Sequence, residues 1–188
     1  YRIEKMKSMG SNAIRTSHNP VSPAMLDLCD RMGMLVIEEN RLMGINKEHV
    51  ELLERMIKRD RNHPCIILWS IGNEEWALEG NERGLRITQS MSEYVHQLDS
   101  TRLSTQGTAG GRVSLFGVDV KGYNYLRQNP IDEFHQKHPE WYSPVGSEET
   151  SGCGTRNVYY TDSLRGWMAP INRTAQDDNH IINPMARG

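Results

Sequence analysis

Cysteine is scarce in this sequence, and the three residues present show no spacing that would join them to one another or to a metal. Cys29, Cys65 and Cys153 fall in a predicted helix, a predicted strand and a loop, and no CxxC or Cys/His ligand pattern occurs. We therefore expect unpaired thiols that behave as small apolar side chains.

Long apolar runs and long runs of one charge are also missing. No apolar stretch approaches the roughly 20 residues that a membrane-spanning helix needs, and residues 1–5 are typical of an amphipathic helix and not of a signal sequence. The formal net charge is -2, with both signs spread along 188 residues. The sequence therefore predicts no nucleic-acid or membrane partner and indicates no compartment.

The apolar periodicity predicts an alternation of helices and strands. Helical spacing occurs at residues 3–9, 23–33, 46–63 and 87–98. Extended patterns occur at residues 12–17, 35–38, 65–71, 103–105, 118–125 and 144–147. The run at 65–71 is apolar on successive residues, which is typical of a strand buried on both faces.

Such an alternation requires parallel strands joined by crossover helices. Two architectures meet this requirement, the (β/α)8 TIM barrel and the open doubly wound sheet. No GxGxxG or GxxxxGK[ST] loop follows a strand, which argues against a nucleotide-binding open sheet. We therefore expect an α/β fold of the barrel type with about six of its eight strands. Because the ends complete no element, we expect residues 1–188 to be one domain of a longer protein.

Polar and acidic residues cluster where the predicted strands end. Asn73 and Glu74 follow the buried strand, and Glu148 follows the last strand. Residues 18–20 and 38–40 follow the first two strands. Because the carboxyl ends of parallel strands lie on one face of the fold, we expect these side chains to converge on one pocket.

Two glutamates in one pocket match the requirement of glycoside hydrolysis. One carboxyl group protonates the departing oxygen, and the other attacks or stabilises the sugar carbon. A single glutamate at a strand end is more often a solvated surface residue, but Glu74 and Glu148 together, near asparagine, histidine and tyrosine, favour the hydrolase. Their neighbours Glu75 and Glu149 point to the opposite side of an extended chain, so we expect no catalytic role for them.

Several segments resemble glycoside hydrolase family 2, which contains the bacterial β-galactosidases and β-glucuronidases. In the order of the family, the matching segments are residues 15–20 (RTSHNP), 39–44 (ENRLMG), 59–64 (RDRNHP), 68–74 (LWSIGNE), 122–125 (GYNY) and 146–148 (GSE). The match covers nearly the whole chain. Within the family, the sequence of these segments is most similar to the β-galactosidase branch. The resemblance implies a TIM barrel of which about strands 2 to 7 are present here.

The resemblance also implies a retaining mechanism by double displacement. Glu74, at the end of the fourth barrel strand, matches the acid/base, and Glu148, at the end of the seventh, matches the nucleophile. Asn73 is expected to hydrogen-bond the sugar 2-hydroxyl. Tyr125 is expected to donate to the nucleophile, with Tyr123 as the alternative because the register of this strand is not fixed by the sequence.

Four further residues belong to the predicted site. Arg15 is expected to keep the nucleophile ionised through its charge, a role that is compatible with a structural ion pair inside the barrel. His18 is expected to contact sugar hydroxyls, and Glu39 and Asn40 to do so more weakly. Without the resemblance, a turn ended by Pro20 is the less favoured alternative interpretation of residues 18–20.

The resemblance implies a carbohydrate substrate and β-sandwich domains that precede the barrel in the full-length chain. It is also compatible with a homo-oligomer. Some large β-galactosidases bind magnesium through a Glu-x-His sequence after the third strand, which residues 39–42 (ENRL) do not match. We therefore expect no metal and no cofactor. β-Galactosides are the expected substrates. The alternatives are β-glucuronides or β-mannosides, a cellulase-like or mannanase-like enzyme of the same clan, and a carbohydrate-binding barrel without catalysis.

Overall fold

The computed structural model describes residues 1–110, 112–125, 131–140, 144–148 and 164, so Cys153 and Glu149 lie outside the described residues. The strands are β1 (Ala13–Arg15), β2 (Leu35–Glu39), β3 (Ile66–Asn73), β4 (Leu103–Thr108), β5 (Val120–Asn124) and β6 (Val145–Glu148). The helices are α1 (Arg2–Ser8), α2 (Pro23–Met32), α3 (Lys47–Asp60), α4 (Trp76–Glu79), α5 (Glu82–Leu98) and α6 (Ile131–Lys137), with a 3-10 turn at Ser114–Gly117.

All six strands form one parallel sheet in sequence order, from β1 to β6. Although β1 and β6 are the two edges of this order, Arg15 of β1 donates from Nη1 to the carbonyl oxygen of Ser147 in β6, at 3.1 Å. The sheet is therefore curled into an incomplete barrel. An open doubly wound sheet reverses its strand order at a switch point, and this sheet does not. The predicted incomplete TIM barrel is confirmed.

The helix boundaries follow local sequence signals. Asn46 begins α3, and its Oδ1 accepts a hydrogen bond from the backbone N–H of His49 at 2.9 Å. Gly33 ends α2 with a φ of 66°, a conformation that glycine adopts without steric cost. Ser22 occupies the expected N-cap position of α2, but its side chain makes no capping hydrogen bond. None of the described helices is long and apolar enough to cross a membrane.

The hydrophobic core lies between the sheet and its helices. Trp69 and Ile71 of β3 are buried against this layer, and Trp69 donates from Nε1 to Asp99 Oδ2 at 3.0 Å. Cys29 and Cys65 are buried free thiols in the same core. Burial raises the pKa of Cys65 to about 12, so this thiol stays protonated and unreactive at neutral pH.

Alternation along β2 sends two neighbouring glutamates to opposite faces of the sheet. Glu39 points into the barrel, whereas Glu38 is buried on the helix side, where its Oε1 accepts the backbone N–H of Val21 at 3.0 Å. Glu38 Oε2 has no hydrogen-bond partner in the described part of the chain. Burial raises the pKa of Glu38 from 4.5 to about 7, and the nearby charge of Asp60 adds to this shift.

Glu38→Gln is expected to remove a pH dependence of stability. Because the folded state raises the pKa of Glu38, the folded protein binds this proton more tightly than the unfolded chain. The carboxyl group therefore destabilises the fold increasingly as pH rises from 4.5 to about 7, by about 3 kcal/mol for the whole window. A glutamine keeps the acceptor for Val21 and carries no charge.

Calorimetry of the full-length protein at roughly pH 5 and pH 8 measures this effect as the difference in unfolding free energy between the wild type and Glu38→Gln. The wild type should lose stability relative to Glu38→Gln at the higher pH. Glu48→Gln, an exposed position on α3, is the matched control and should follow the wild type. Parallel pH profiles for the wild type and Glu38→Gln would contradict the prediction.

Candidate active site

Backbone irregularities at the carboxyl ends of the strands set the directions in which the site side chains point. The pairing of β3 with β4 shifts register between Ser70 and Asn73, and the pairing of β5 with β6 shifts between Tyr123 and Asn124. A β-bulge inserts a residue and changes which way the following side chains point. Here the shifts bring Asn73 and Asn124 into contact, since Asn124 Nδ2 donates to Asn73 Oδ1 at 3.0 Å.

Two residues just beyond these strands have left-handed backbone conformations. Glu74 has a φ of 50° and Tyr125 a φ of 56°, conformations that cost a non-glycine residue of order 1 to 3 kcal/mol. Each is held by a backbone hydrogen bond, from Glu74 N to the carbonyl of Gly107 at 3.0 Å and from Tyr125 N to the carbonyl of Glu148 at 2.6 Å. The surrounding strands therefore impose the turn that each side chain needs to reach the barrel opening.

The two predicted catalytic glutamates meet at one side chain. Asn124, fully buried, places Nδ2 at 2.7 Å from Glu74 Oε1 and at 3.4 Å from Glu148 Oε2. The distance between these two carboxylate oxygens is therefore at most 6.1 Å, the sum of the two bonds. Both glutamates are partly exposed, so the space between them is open to a ligand.

Glu148 is held by a tyrosine and by an arginine. Tyr125 donates its hydroxyl to Glu148 Oε1 at 2.6 Å, and Arg15 Nη1 lies 3.3 Å from Glu148 Oε2. Tyr123, the alternative donor, is fully buried on the other side of β5 and packs edge to face on Phe134, with ring centroids 5.4 Å apart. The hydrogen bond to Glu148 thus comes from Tyr125.

Arg15 connects four strands of the barrel. The Arg15 side chain is 7% exposed. It donates from Nε to Glu39 Oε2 at 2.7 Å and from Nη2 to Asn73 Oδ1 at 2.5 Å. These bonds to β2 and β3 add to its contacts with β6. Glu39 is fully buried, and its Oε2 also accepts the hydroxyl of Ser70 at 2.8 Å. The charge of Arg15 is therefore shared between two carboxylates, Glu39 and Glu148.

His18 and Asn40 have different relations to this network. His18 Nδ1 lies 2.9 Å from Glu39 Oε1, and its ring is partly exposed at the barrel opening. Asn40 is buried and donates from Nδ2 to the carbonyl of Leu42 at 2.7 Å, which holds its own loop. Among the residues described, no hydrogen bond joins the Asn40 side chain to the glutamate pair, so its sugar contact stays a prediction.

The sequence interpretation missed two residues of the site, Asn124 and Gly107. Asn124 lies near the carboxyl end of the predicted strand 118–125, so the rule that found Asn73 and Glu74 also applies to it. At Gly107, an added Cβ would lie 2.8 Å from Asn73 Oδ1 and 2.9 Å from Arg15 Nη2. Only glycine leaves room for these side chains, and no sequence pattern marked this position.

One group in the described part of the chain has metal-ligand types close together, namely Asp27, Asp30 and His63. It precedes β3 and thus lies at the amino ends of the strands, away from the glutamate pair. Asp30 already binds His63 Nδ1 at 2.6 Å and the backbone N–H of Cys65 at 2.8 Å. The protein's own groups therefore account for both oxygens of Asp30, and the expected absence of a metal stays a prediction.

Comparisons with known proteins identify the family of this chain. Residues 2–49 and 43–150 match the family model described as Glycosyl hydrolases family 2, TIM barrel domain. A β-galactosidase of Bacteroides ovatus is 33% identical over 89% of this chain and 25% of its own length. A β-glucuronidase of Sus scrofa is 39% identical over 37% of this chain and 12% of its own length.

A solved structure shows the same fold. A glycosyl hydrolase family 2 member from Bacteroides cellulosilyticus has a TM-score of 0.67 at 42% identity, over 73% of this chain and 20% of that one. The chain thus spans a quarter or less of the length of these relatives. The family model covers most of the chain, and sequence and structure agree on the barrel. This chain therefore belongs to glycoside hydrolase family 2 and carries the TIM-barrel domain of that family.

Proposed function

We propose that this chain is the catalytic barrel of a longer retaining β-glycosidase, with Glu74 as acid/base and Glu148 as nucleophile. The observation that carries the proposal is their shared contact with Asn124, which limits one oxygen-to-oxygen distance to 6.1 Å. Retaining enzymes separate their carboxyl groups by about 5 to 5.5 Å, and inverting enzymes by about 6.5 to 9.5 Å. The limit of 6.1 Å supports retention.

In the first step, a Glu148 oxygen attacks the anomeric carbon while the bond from that carbon to the leaving oxygen breaks. Glu74 transfers its proton to the departing oxygen, which leaves as an alcohol. Arg15 and Tyr125 bind the two oxygens of Glu148, so the attacking carboxylate is fixed in orientation before the substrate arrives.

In the second step, water attacks the glycosyl-enzyme and Glu74 accepts a proton from that water, which returns both glutamates to their starting state. Asn73 Oδ1 already accepts from Arg15 and Asn124, so Nδ2 is the group of Asn73 that donates to the sugar 2-hydroxyl. Glu39 is engaged by Arg15 and Ser70 and therefore holds Arg15 and His18 in place, while His18 contacts sugar hydroxyls.

β-Galactosides are the proposed substrates. The support is the relative from Bacteroides ovatus, a β-galactosidase that aligns with 89% of this chain. The β-glucuronidase from Sus scrofa aligns with 37% of this chain, and its segment is more identical. β-Glucuronides and β-mannosides are therefore the alternatives, followed by a carbohydrate-binding barrel without catalysis. β-Sandwich domains and a homo-oligomer belong to the same proposal.

Hydrolysis of nitrophenyl glycosides by the full-length enzyme tests this function. We expect faster hydrolysis of the nitrophenyl β-galactoside than of the nitrophenyl β-glucuronide or β-mannoside. Cellulose should be hydrolysed more slowly as well. Proton NMR early in the reaction should show the β-anomer of the free sugar first, because two inversions retain configuration. An α-anomer as the first product would refute double displacement, and no hydrolysis of any substrate would favour the barrel without catalysis.

A further inference from the structure

Trp76 is an exposed aromatic residue that lies close to Glu74 in the chain. It follows Glu74 by two residues and begins α4. Its exposed fraction is 76%, the largest of any large apolar side chain described between residues 10 and 148, whereas Trp69 on the same stretch of chain is fully buried. Tryptophan has a large flat apolar face, and because this residue is hydrogen-bonded through its backbone to Glu74, that face is available to a ligand bound next to Glu74.

The backbone that carries Trp76 is fixed on two sides. Arg41 of the β2 loop donates from Nη1 to the carbonyl of Asn73 and lies 3.4 Å from Glu75 Oε1. On the other side, the buried carboxylate of Glu79 accepts backbone N–H groups from the loop after β4, at 3.2 and 3.3 Å. The main chain is thus held firmly while the indole is uncovered, which is the arrangement of a preorganised contact surface.

The chemistry of the site indicates which part of a substrate this surface meets. The acid/base gives its proton to the leaving oxygen, so the leaving group must lie beside Glu74. Trp76 N donates to the carbonyl of Glu74 at 3.0 Å, which ties the two residues together in one tight turn. Arg15, Glu39 and His18 belong instead to the β1 and β2 side of the opening.

We propose that Trp76 is the platform of the leaving-group subsite. Its indole face packs on the apolar face of a sugar ring, or on an aryl ring, joined to the scissile oxygen. The partly exposed Arg41 and Glu75 supply polar groups at the edge of that platform. This inference rests on the proposed function, since it takes Glu74 as the proton donor.

Two substrates with the same reacting sugar test the inference in the full-length enzyme. One is a methyl β-galactoside, whose leaving group is too small to reach the indole, and the other is a β-linked galactosyl disaccharide. Trp76→Ala should raise KM for the disaccharide about tenfold and should change KM for the methyl β-galactoside by less than about twofold. Trp76→Phe, which keeps an aromatic face, should recover most of the loss.

The rate at which the glycosyl-enzyme is hydrolysed gives a second readout. The leaving group has departed before this step, so Trp76→Ala should leave the rate of water attack unchanged. Phe116→Ala removes another exposed aromatic side chain, one that lies on the 3-10 turn before β5, and is the matched control. It should leave both KM values unchanged.

An equal loss on both substrates, or slower hydrolysis of the glycosyl-enzyme, would assign Trp76 a structural role and overturn the inference. Unchanged KM values in Trp76→Ala would overturn it as well, because another part of the full-length protein would then cover the indole. Failure of the proposed function has a different signature, namely a wild-type enzyme that cleaves neither substrate, and it would refute the inference too.

Discussion

Glu148→Gln is expected to abolish turnover of β-galactosides by the full-length enzyme. Glutamine has nearly the same shape but no negative charge, so it cannot form the glycosyl-enzyme. Its amide also replaces a carboxylate that accepts from Tyr125 and Arg15, and one of these donors then faces an N–H group. We expect kcat to fall by at least about 10⁴-fold, as is usual when a covalent nucleophile is removed.

Initial rates on nitrophenyl β-galactoside measure this loss, and circular dichroism shows whether the variant is folded. The smaller variant Glu148→Ala adds a positive test. Azide ions fit the space left by the carboxylate and attack the sugar from the same side, so the product should be the α-galactosyl azide. Near-normal hydrolysis by Glu148→Gln would remove this residue from the nucleophile role.

The order of helices and strands was predictable because it rests on apolar periodicity over many residues. The run at 65–71 and the helices α2, α3 and α5 each extend over at least two turns or seven strand residues. Three elements were not predicted, namely α4, α6 and the 3-10 turn before β5. The helix α4 and the turn have four residues each, and such short elements show no complete period. The same limit hid the final three residues of β4, which include Gly107.

The convergence of the site was predictable, but its geometry was not. Polar residues at the ends of parallel strands identify Asn73, Glu74 and Glu148 without any knowledge of register. The register shift between Tyr123 and Asn124 and the positive φ of Tyr125 decide which tyrosine reaches Glu148. Such shifts are local irregularities in the pairing of neighbouring strands, and the apolar pattern along one strand does not locate them.

The alternation of side chains within β2 was predictable, but the face that each side chain occupies was not. A strand sends Glu38 and Glu39 to opposite faces, but the sequence does not say which face becomes the interior of the barrel. The structure places Glu39 with Arg15 and leaves Glu38 against the helices, where burial raises its pKa. Two adjacent glutamates thus have unrelated consequences, one for the site and one for the pH dependence of stability.

Glu74→Ala is expected to produce a loss that depends on the leaving group. Departure of methanol from a methyl β-galactoside needs a proton, so its kcat/KM should fall by about 10²- to 10⁴-fold. Dinitrophenolate leaves without a proton, so kcat/KM for the dinitrophenyl β-galactoside should fall far less. Glu82→Gln, at an exposed position at the start of α5, is the matched control and should leave kcat/KM for both substrates unchanged.

The second step distinguishes Glu74 from Glu148. Without Glu74 as a base, water attacks the glycosyl-enzyme slowly, so kcat for the dinitrophenyl substrate should drop while KM drops with it. Azide needs no base and attacks the glycosyl-enzyme from the face opposite Glu148, which gives the β-galactosyl azide. The two variants should therefore yield opposite anomers of one product, and if the anomers were exchanged, the roles of the two glutamates would be exchanged as well.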